Sequence, residues 1–401
     1  MFDIKEVRAN FPHTKETSYF NAASNGPLSN PGYKVQEAVY IQAKSGLMGR
    51  QVEVYDALDN IRRNGAKIFG ARKKEVGFGF NTTFGINLAA FGLPLKKGDE
   101  ILLSDVEFPA NVYPWLELRN RGIKIKFLKS NRGCFDIEDL QKAITKKTKV
   151  LSLSFVQYFN GYKNDMTTIG KICKAHGIFF VVDAIQGAGC EPMNVHKWQV
   201  DIASAGGHKW LLGPQGTGIF FVSDNIKDRF RPPWRSWLGV DWKCDWSNLN
   251  DFDRPFDNSA RQFEMGTYPA AHVMAFDWSL EFINKLGVRN IQKHNYTQMD
   301  KLIELLNSEP FYRITGSVDK KHRSSIISFT SHRGDIDYIH RLLTYCHIIT
   351  AMREGSIRVS THLYNDTNDL KRLTICLDQA AKDSCCGKCK VSPRKKLKKK
   401  K

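Results

Sequence analysis

The sequence predicts an α/β fold: a large domain with a mostly parallel sheet covered by helices, followed by a smaller α+β C-terminal domain. Three observations predict it. At 401 residues the chain is too long for one small core. From about residue 75, short β-rich runs alternate with amphipathic helical stretches, the pattern of βαβ units. After about Gly266 this alternation gives way to two long helical patterns and then a cluster of short strands.

Taken in order, the strands of the large domain are "EILLSD", "IKIKFL", "KVLSLSF", "GIFFVVD", "DIASAG" and "GIFFVS", between Glu100 and Ser223. Several are nearly continuous apolar runs, as expected where a sheet is covered on both faces. The stretch "MTTIGKICKAHG" is one of the helical patterns between them. Beyond Gly266, "AAHVMAFDWSLEFINKLG" and "VRNIQKHNYTQMDKLIELLNS" read as long helices. They lead to the strands "SSIISFT", "HIITAM" and "IRVSTH", with one helix between the first two and another after the last. The expected division is 1–260 for an N-terminal arm and the large domain, 261–382 for the small domain, and 383–401 for a disordered Cys/Lys-rich tail. Between the domains, "RPPWRSWLGVDWKCDWSNLN" carries Trp234, Trp237, Trp242 and Trp246, and is too polar for a regular core element. These rings either wall a substrate pocket or pack an interface.

Charge and cysteines narrow the setting. The formal charge is +19, and nine of those charges come from the basic residues of Ser384 to Lys401, which contain no acid. The run reads as a solvated tail, so association with nucleic acid or an anionic surface would rest on this segment alone. No apolar run approaches the ~18 residues of a membrane-spanning helix. The N-terminus lacks the apolar centre of a secretory signal, and the cysteines, nine in number, suggest no disulfide framework. A cytoplasmic protein is the expectation. Cys385, Cys386 and Cys389 in "CCGKC" offer three thiols, one short of the four ligands of a structural zinc site, and no metal centre is expected.

Chemistry is sought at the carboxyl ends of the strands, where ligands gather in an open parallel sheet. "GIFFVVD" ends in Asp183, and soon after "DIASAG" come His208 and Lys209, inside the glycine-rich "GGHKWLLGPQGTG". A lysine near apolar surface has its charged form disfavoured, which leaves a nucleophilic amine, and a buried carboxylate needs a cation. Together they fit a cofactor offering an aldehyde and a protonated ring nitrogen. Pyridoxal 5′-phosphate has both. Its phosphate calls for a helix start and hydroxyl donors, which "GFGFNTTFGINLAAFG" supplies at Asn81, Thr82 and Thr83. Taken alone, that stretch equally reads as a plain threonine N-cap.

The ordered set "NTTFGIN", "DVEFPANVYPW", "VVDAIQGAG", "GGHKWLLGPQGTGIFF", "FEMGTYP" and "REGSIRVSTHLYN" resembles the class V aminotransferase family of fold type I pyridoxal-phosphate enzymes. Within it the likeness is to the isopenicillin N epimerase-like branch, related to cysteine desulfurases and selenocysteine lyases, and it runs from about Tyr19 to about Leu373. The resemblance implies that Lys209 is the Schiff-base lysine and Asp183 the partner of the pyridinium nitrogen. It implies that Gln186 donates to the ring hydroxyl oxygen and that His208, Thr82 and Thr83 surround the phosphate. Phe108 falls where desulfurases stack a histidine on the ring; it keeps the flat face but cannot shuttle protons. Arg358 matches the arginine that grips the substrate α-carboxylate, with Arg353 as a second anchor. Thr267 resembles the residue given to the phosphate of a neighbouring subunit, which implies a homodimer.

Two departures bear on the activity. Gly206 stands where many relatives place a phosphate-binding serine. The four residues between Arg353 and Arg358 include no cysteine, whereas desulfurases insert a cysteine-bearing loop there. Three readings follow: an aminotransferase or epimerase-like enzyme acting at Cα of an amino acid, a desulfurase or selenocysteine lyase-type enzyme using the tail cysteines, or a non-catalytic protein that binds through its basic tail. The intact lysine and aspartate argue against the last.

Overall fold

The computed structural model describes residues 2–46, 51–131, 133–231, 234–243, 247–332 and 335–385. Trp246, Cys386, Cys389 and the lysine run lie outside the described residues. The chain opens with α1 (Ile4–Ala9), β1 (Ser18–Tyr19), α2 (Asn30–Lys44) and α3 (Gln51–Phe69). Then come β2 (Val76–Gly79), α4 (Thr82–Gly92), β3 (Glu100–Ser104), α5 (Tyr113–Glu117), β4 (Lys124–Leu128), α6 (Ile137–Ala143) and β5 (Thr148–Ser154). They are followed by α7 (Met166–Ala175), β6 (Phe179–Asp183), β7 (Ile202–Gly206) and β8 (Gly218–Val222). A long stretch with only short 3-10 turns leads to α8 (Ala270–Leu286), α9 (Val288–Ser308), β9 (Tyr312–Ile314), β10 (Ile326–Ser331) and α10 (Ile336–Tyr345). The last elements are β11 (Ile348–Ile349), β12 (Ala351–Arg353), β13 (Ser356–Ser360) and α11 (Thr367–Cys385).

Seven strands form the large sheet in the order β2-β8-β7-β6-β5-β3-β4. From β7 to β4 every pairing is parallel, and β8 runs antiparallel to both its neighbours. The reason is local. A parallel return needs a crossover of roughly a dozen residues or more, and the shorter segment 207–217 turns straight back.

Alternation along each strand builds the two faces. Phe180 and Val182 point into one core with Leu151, Leu153 and Phe221. Val181 points into the other with Ile101, Leu103, Val150 and the α4 residues Ile86, Leu88 and Ala89. Each face carries its own helical layer, so the polar groups of the strand ends are displayed at one rim.

A four-stranded antiparallel sheet, β12-β13-β10-β9, carries the third core with α9, α10 and α11. Val273, Phe276, Leu280 and Ile283 of α8 join the large-sheet core, whereas Met299, Leu302 and Leu306 of α9 join the small one. The change of texture near Gly266 thus marks a change of element type, and the two cores part along the helical pair α8 and α9. The N-terminal arm crosses between them. β1 pairs in parallel with β11, with Ser18 opposite Ile348, and Phe20 is buried in the small-domain core. No helix among the described residues is long and apolar enough to cross a membrane.

Candidate active site

At the carboxyl rim of the large sheet lies a cavity of about 230 Å³, facing the small sheet. Its walls include Thr82, Thr83, Phe108, Asp183, Gln186, His208, Lys209, Arg353 and Arg358. Every site residue expected from the sequence is there except Thr267, which is exposed and lines no part of its own chain's cavity.

Asp183 ends β6 and is buried, with one oxygen accepting from the Ile185 N–H at 3.0 Å. Burial pushes its carboxyl up, and the neighbouring Glu107 adds to that, against the pull of the Ile185 N–H and of Lys209. Lys209 follows β7 and is 8% exposed. Burial pushes its ammonium down to about 8; Asp183 resists, and Arg358 and Arg353 push the same way as burial. A larger share of the amine is therefore in its nucleophilic form at neutral pH than for an exposed lysine. It sits 5.5 Å from the centroid of the Phe108 ring.

The backbone around Lys209 is fixed by a close approach. Gly26 donates its N–H to the His208 carbonyl at 2.8 Å. A Cβ at Gly26 would stand 2.2 Å from the Lys209 carbonyl oxygen, so no larger residue lets the arm lie here.

At the other end of the cavity α4 begins. Its cap is Asn81, whose side chain accepts from the Phe84 N–H at 2.9 Å. Thr82 and Thr83 are thus the first residues of the helix and not its cap, and their hydroxyls are not consumed in capping. Thr82 Oγ1 accepts from the Gly206 N–H at 3.0 Å and keeps its proton to donate. The free N–H groups of this first turn and the helix dipole favour an anion here. Where a serine is missing at Gly206, the His208 ring fills the space: a Cβ there would meet two ring atoms at 3.2 Å. Burial and Lys209 hold the His208 imidazole below its ordinary value, so it lies beside this site as a neutral ring.

Gln186 is anchored at both ends of its amide. Nε2 donates to the Ala23 carbonyl at 3.0 Å and Oε1 accepts from the Trp210 indole at 2.8 Å. One N–H remains for a ligand oxygen.

Arg358 is the most unusual group of the site. It is 1% exposed, donating from Nη1 to the Tyr158 carbonyl at 2.5 Å and from Nη2 to Ser24 Oγ at 2.6 Å. Its Nε–H is buried with no partner. No carboxylate forms an ion pair with it among the described residues, and burial followed by the nearby Arg353 pushes its guanidinium down to about 9. A buried cation left in this state calls for an anion from outside the chain.

Three further residues belong to the site and were not singled out from the sequence. Ser24 and Tyr158 line the cavity beside the arginines. Glu107, just before Phe108, is buried and takes hydrogen bonds from the Ser154 N–H and hydroxyl, Gln157 Nε2 and Asn111 Nδ2. The glutamate in "DVEFPAN" was the available signal for it. Of the tryptophan cluster, Trp234, Trp237 and Trp242 do not line this cavity. Trp234 lies in a separate open groove with Phe80, Phe84, Phe91 and Met265.

The Aminotransferase class-V family model matches residues 33–373, the greater part of the chain. The chain belongs to the class V aminotransferase family. This family member is 26% identical, over 94% of its length, to a protein described as a probable cysteine desulfurase from Methanothermobacter thermautotrophicus, 98% of which is covered. It is 29% identical, over 95% of its length and 99% of the relative's, to one of the same description from Borreliella burgdorferi. An uncharacterized aminotransferase, YcbU, from Bacillus subtilis is 24% identical over 92% of this chain and 95% of that one. Among solved structures, an apo cysteine desulfurase from Thermococcus onnurineus superposes with a TM-score of 0.84 at 24% identity, covering 95% of this chain and 99% of that one. The fold is thus that of pyridoxal-phosphate enzymes of fold type I, and pyridoxal 5′-phosphate is the cofactor of this class V aminotransferase family enzyme.

The residues fit that group: an amine beside a buried carboxylate, an aromatic face, and a helix start with two hydroxyls that keep a proton to donate. One pH dependence follows. With Lys209 as the nucleophile proposed below, capture of pyridoxal phosphate by the cofactor-free chain should quicken by about tenfold per pH unit below pH 8 and level off above it. Stopped-flow absorbance would measure this, and a rate flat from pH 6 to 9 would contradict it.

Proposed function

We propose that this enzyme works at Cα of an α-amino acid, with Lys209 carrying the cofactor covalently and then moving the Cα proton, in a transaminase-like or epimerase-like reaction. The observation that carries the proposal is the pairing, in one cavity, of a lysine whose ammonium burial pushes down to about 8 with a buried arginine that no acid among the described residues satisfies. When bound, the cofactor supplies an electron sink for the bond that breaks at Cα. Asp183 would hold a proton at the ring nitrogen, which strengthens that sink. Phe108 would offer an aromatic face to the ring, and Thr82, Thr83 and the first turn of α4 would hold the phosphate with His208 beside them. Arg358 takes the α-carboxylate with its unspent N–H groups, which suit a bidentate pair.

A second reading is supported by the relatives described as cysteine desulfurases. Against it stands the hairpin from Arg353 to Arg358, which turns through Glu354 and Gly355 and bears no thiol. No cysteine lines the cavity among the described residues.

Incubation with L-amino acids in deuterated water separates the two. Exchange of the α-proton without sulfide release supports the first reading. Sulfide release from L-cysteine in the presence of a thiol reductant that disappears on removing residues 384–401 would replace it with the second.

The exposure of Thr267, close to the open apolar groove of Phe80, Phe84, Trp234 and Met265, supports a homodimer in which Thr267 completes the neighbouring site. A cytoplasmic setting goes with this proposal, in keeping with five free cysteines among the described residues. Sedimentation of the intact chain as a monomer at micromolar concentration would remove the shared site from the account.

A further inference from the structure

Arg353 and Arg358 lie on neighbouring antiparallel strands. With Ala351 opposite Arg358 and Arg353 opposite Ser356, the two arginines share one face as diagonal neighbours. Both reach the same acceptor: Arg358 Nη2 meets Ser24 Oγ at 2.6 Å and Arg353 Nη2 meets it at 3.2 Å. Arg353 spends one more N–H, from Nη1 to the Met352 carbonyl at 2.6 Å. Neither makes an ion pair with a carboxylate among the described residues. Glu354, next in the chain, instead accepts from the Tyr158 hydroxyl at 3.1 Å. This end of the cavity therefore presents two like charges side by side, with N–H groups to spare on each.

One α-carboxylate neutralises one of them. Arg358 is buried and Arg353 half-buried, so the second charge lies at the more exposed end of the pair, available to a second anionic group of the same ligand. We infer that Arg353 is a specificity-determining residue, and that the site takes α-amino acids whose side chain carries its own acid group, with the α-carboxylate on Arg358 and the side-chain acid on Arg353. The inference rests on the Cα chemistry proposed above and adds the substrate class to it. A neutral side chain of the same shape leaves the Arg353 charge without an anion in a partly desolvated site, which weakens binding.

The test compares matched acids and amides on the holoenzyme: L-glutamate with L-glutamine, and L-aspartate with L-asparagine. Half-saturation is read from the change in visible absorbance of the bound cofactor. At least one acid should bind about tenfold or more tightly than its amide, the preference should vanish in Arg353→Gln, and part of it should return in Arg353→Lys. Calorimetry with glutarate and its half-amide on the cofactor-free chain should show the same order without any turnover. Equal affinity for acid and amide would overturn the inference in favour of a single carboxylate bridging both arginines, and so would a preference that survives in Arg353→Gln. In either case the proposed Cα chemistry stands. If none of the four amino acids changes the spectrum of a loaded enzyme, the inference falls, and the reading beneath it falls only if a panel of the other L- and D-amino acids also leaves the spectrum unchanged.

Discussion

Lys209→Ala is expected to lower turnover by about 10³-fold or more while leaving the fold intact. General-base catalysis alone contributes roughly 10² to 10⁴ in rate, and in the proposed reaction this side chain is also the covalent tether of the cofactor. Lys209 is the one lysine lining the cavity among the described residues. In the proposed site Asp183 is committed to the ring nitrogen, and burial holds the His208 imidazole below its ordinary value. The substitution removes a partner of Asp183, but a carboxyl already pushed up by burial can take a proton and so avoids an unpaired buried charge. A melting temperature close to that of the parent, with α-proton exchange reduced to background, is the expected pair of results. Exchange within tenfold of the parent would remove Lys209 from the chemistry.

Asp183→Asn is the second large effect, expected to lower turnover by about 10² to 10³-fold with the cofactor still captured. Asparagine keeps the shape and can still accept from the Ile185 N–H. It removes the charge that holds a proton at the ring nitrogen, and so weakens the stabilisation of electron density drawn from Cα. Stability should not fall, because a buried carboxylate with one backbone hydrogen bond is replaced by a neutral group of the same size. The discriminating comparison is a cofactor absorbance that responds differently to pH in the variant. Unchanged turnover would place the ring nitrogen elsewhere.

The chain shows clearly which parts of such a molecule can be read in advance. Runs such as "GIFFVVD" and "DIASAG" are strands because apolar β-branched and small residues suit a sheet covered on both faces, and their ends could be read as a rim. Asp183, Lys209 and Thr82 were legible because each stands at a change of pattern, where a polar group interrupts an apolar run. The role of Asn81 was less so. Cap and first turn are one residue apart, and only the backbone assigns the cap to Asn81 and frees the threonines.

Ser24 was hidden for a different reason. Its place between the arginines depends on the arm pairing with β11, more than three hundred residues away, and no local pattern encodes that. Tyr158 and Glu107 were missed because a loop tyrosine and a buried glutamate look, in sequence, like any others. The antiparallel course of β8 follows from the length of its connection: a short link that turns straight back pairs its strands antiparallel.

The central claim is that one particular lysine carries the cofactor. Borohydride treatment of the loaded enzyme, followed by digestion and mass spectrometry, tests it most directly. The account predicts a reduced pyridoxyl group on the peptide containing Lys209 and on no other lysine. A label on a different lysine, or a protein that releases all its cofactor unreduced, would contradict it.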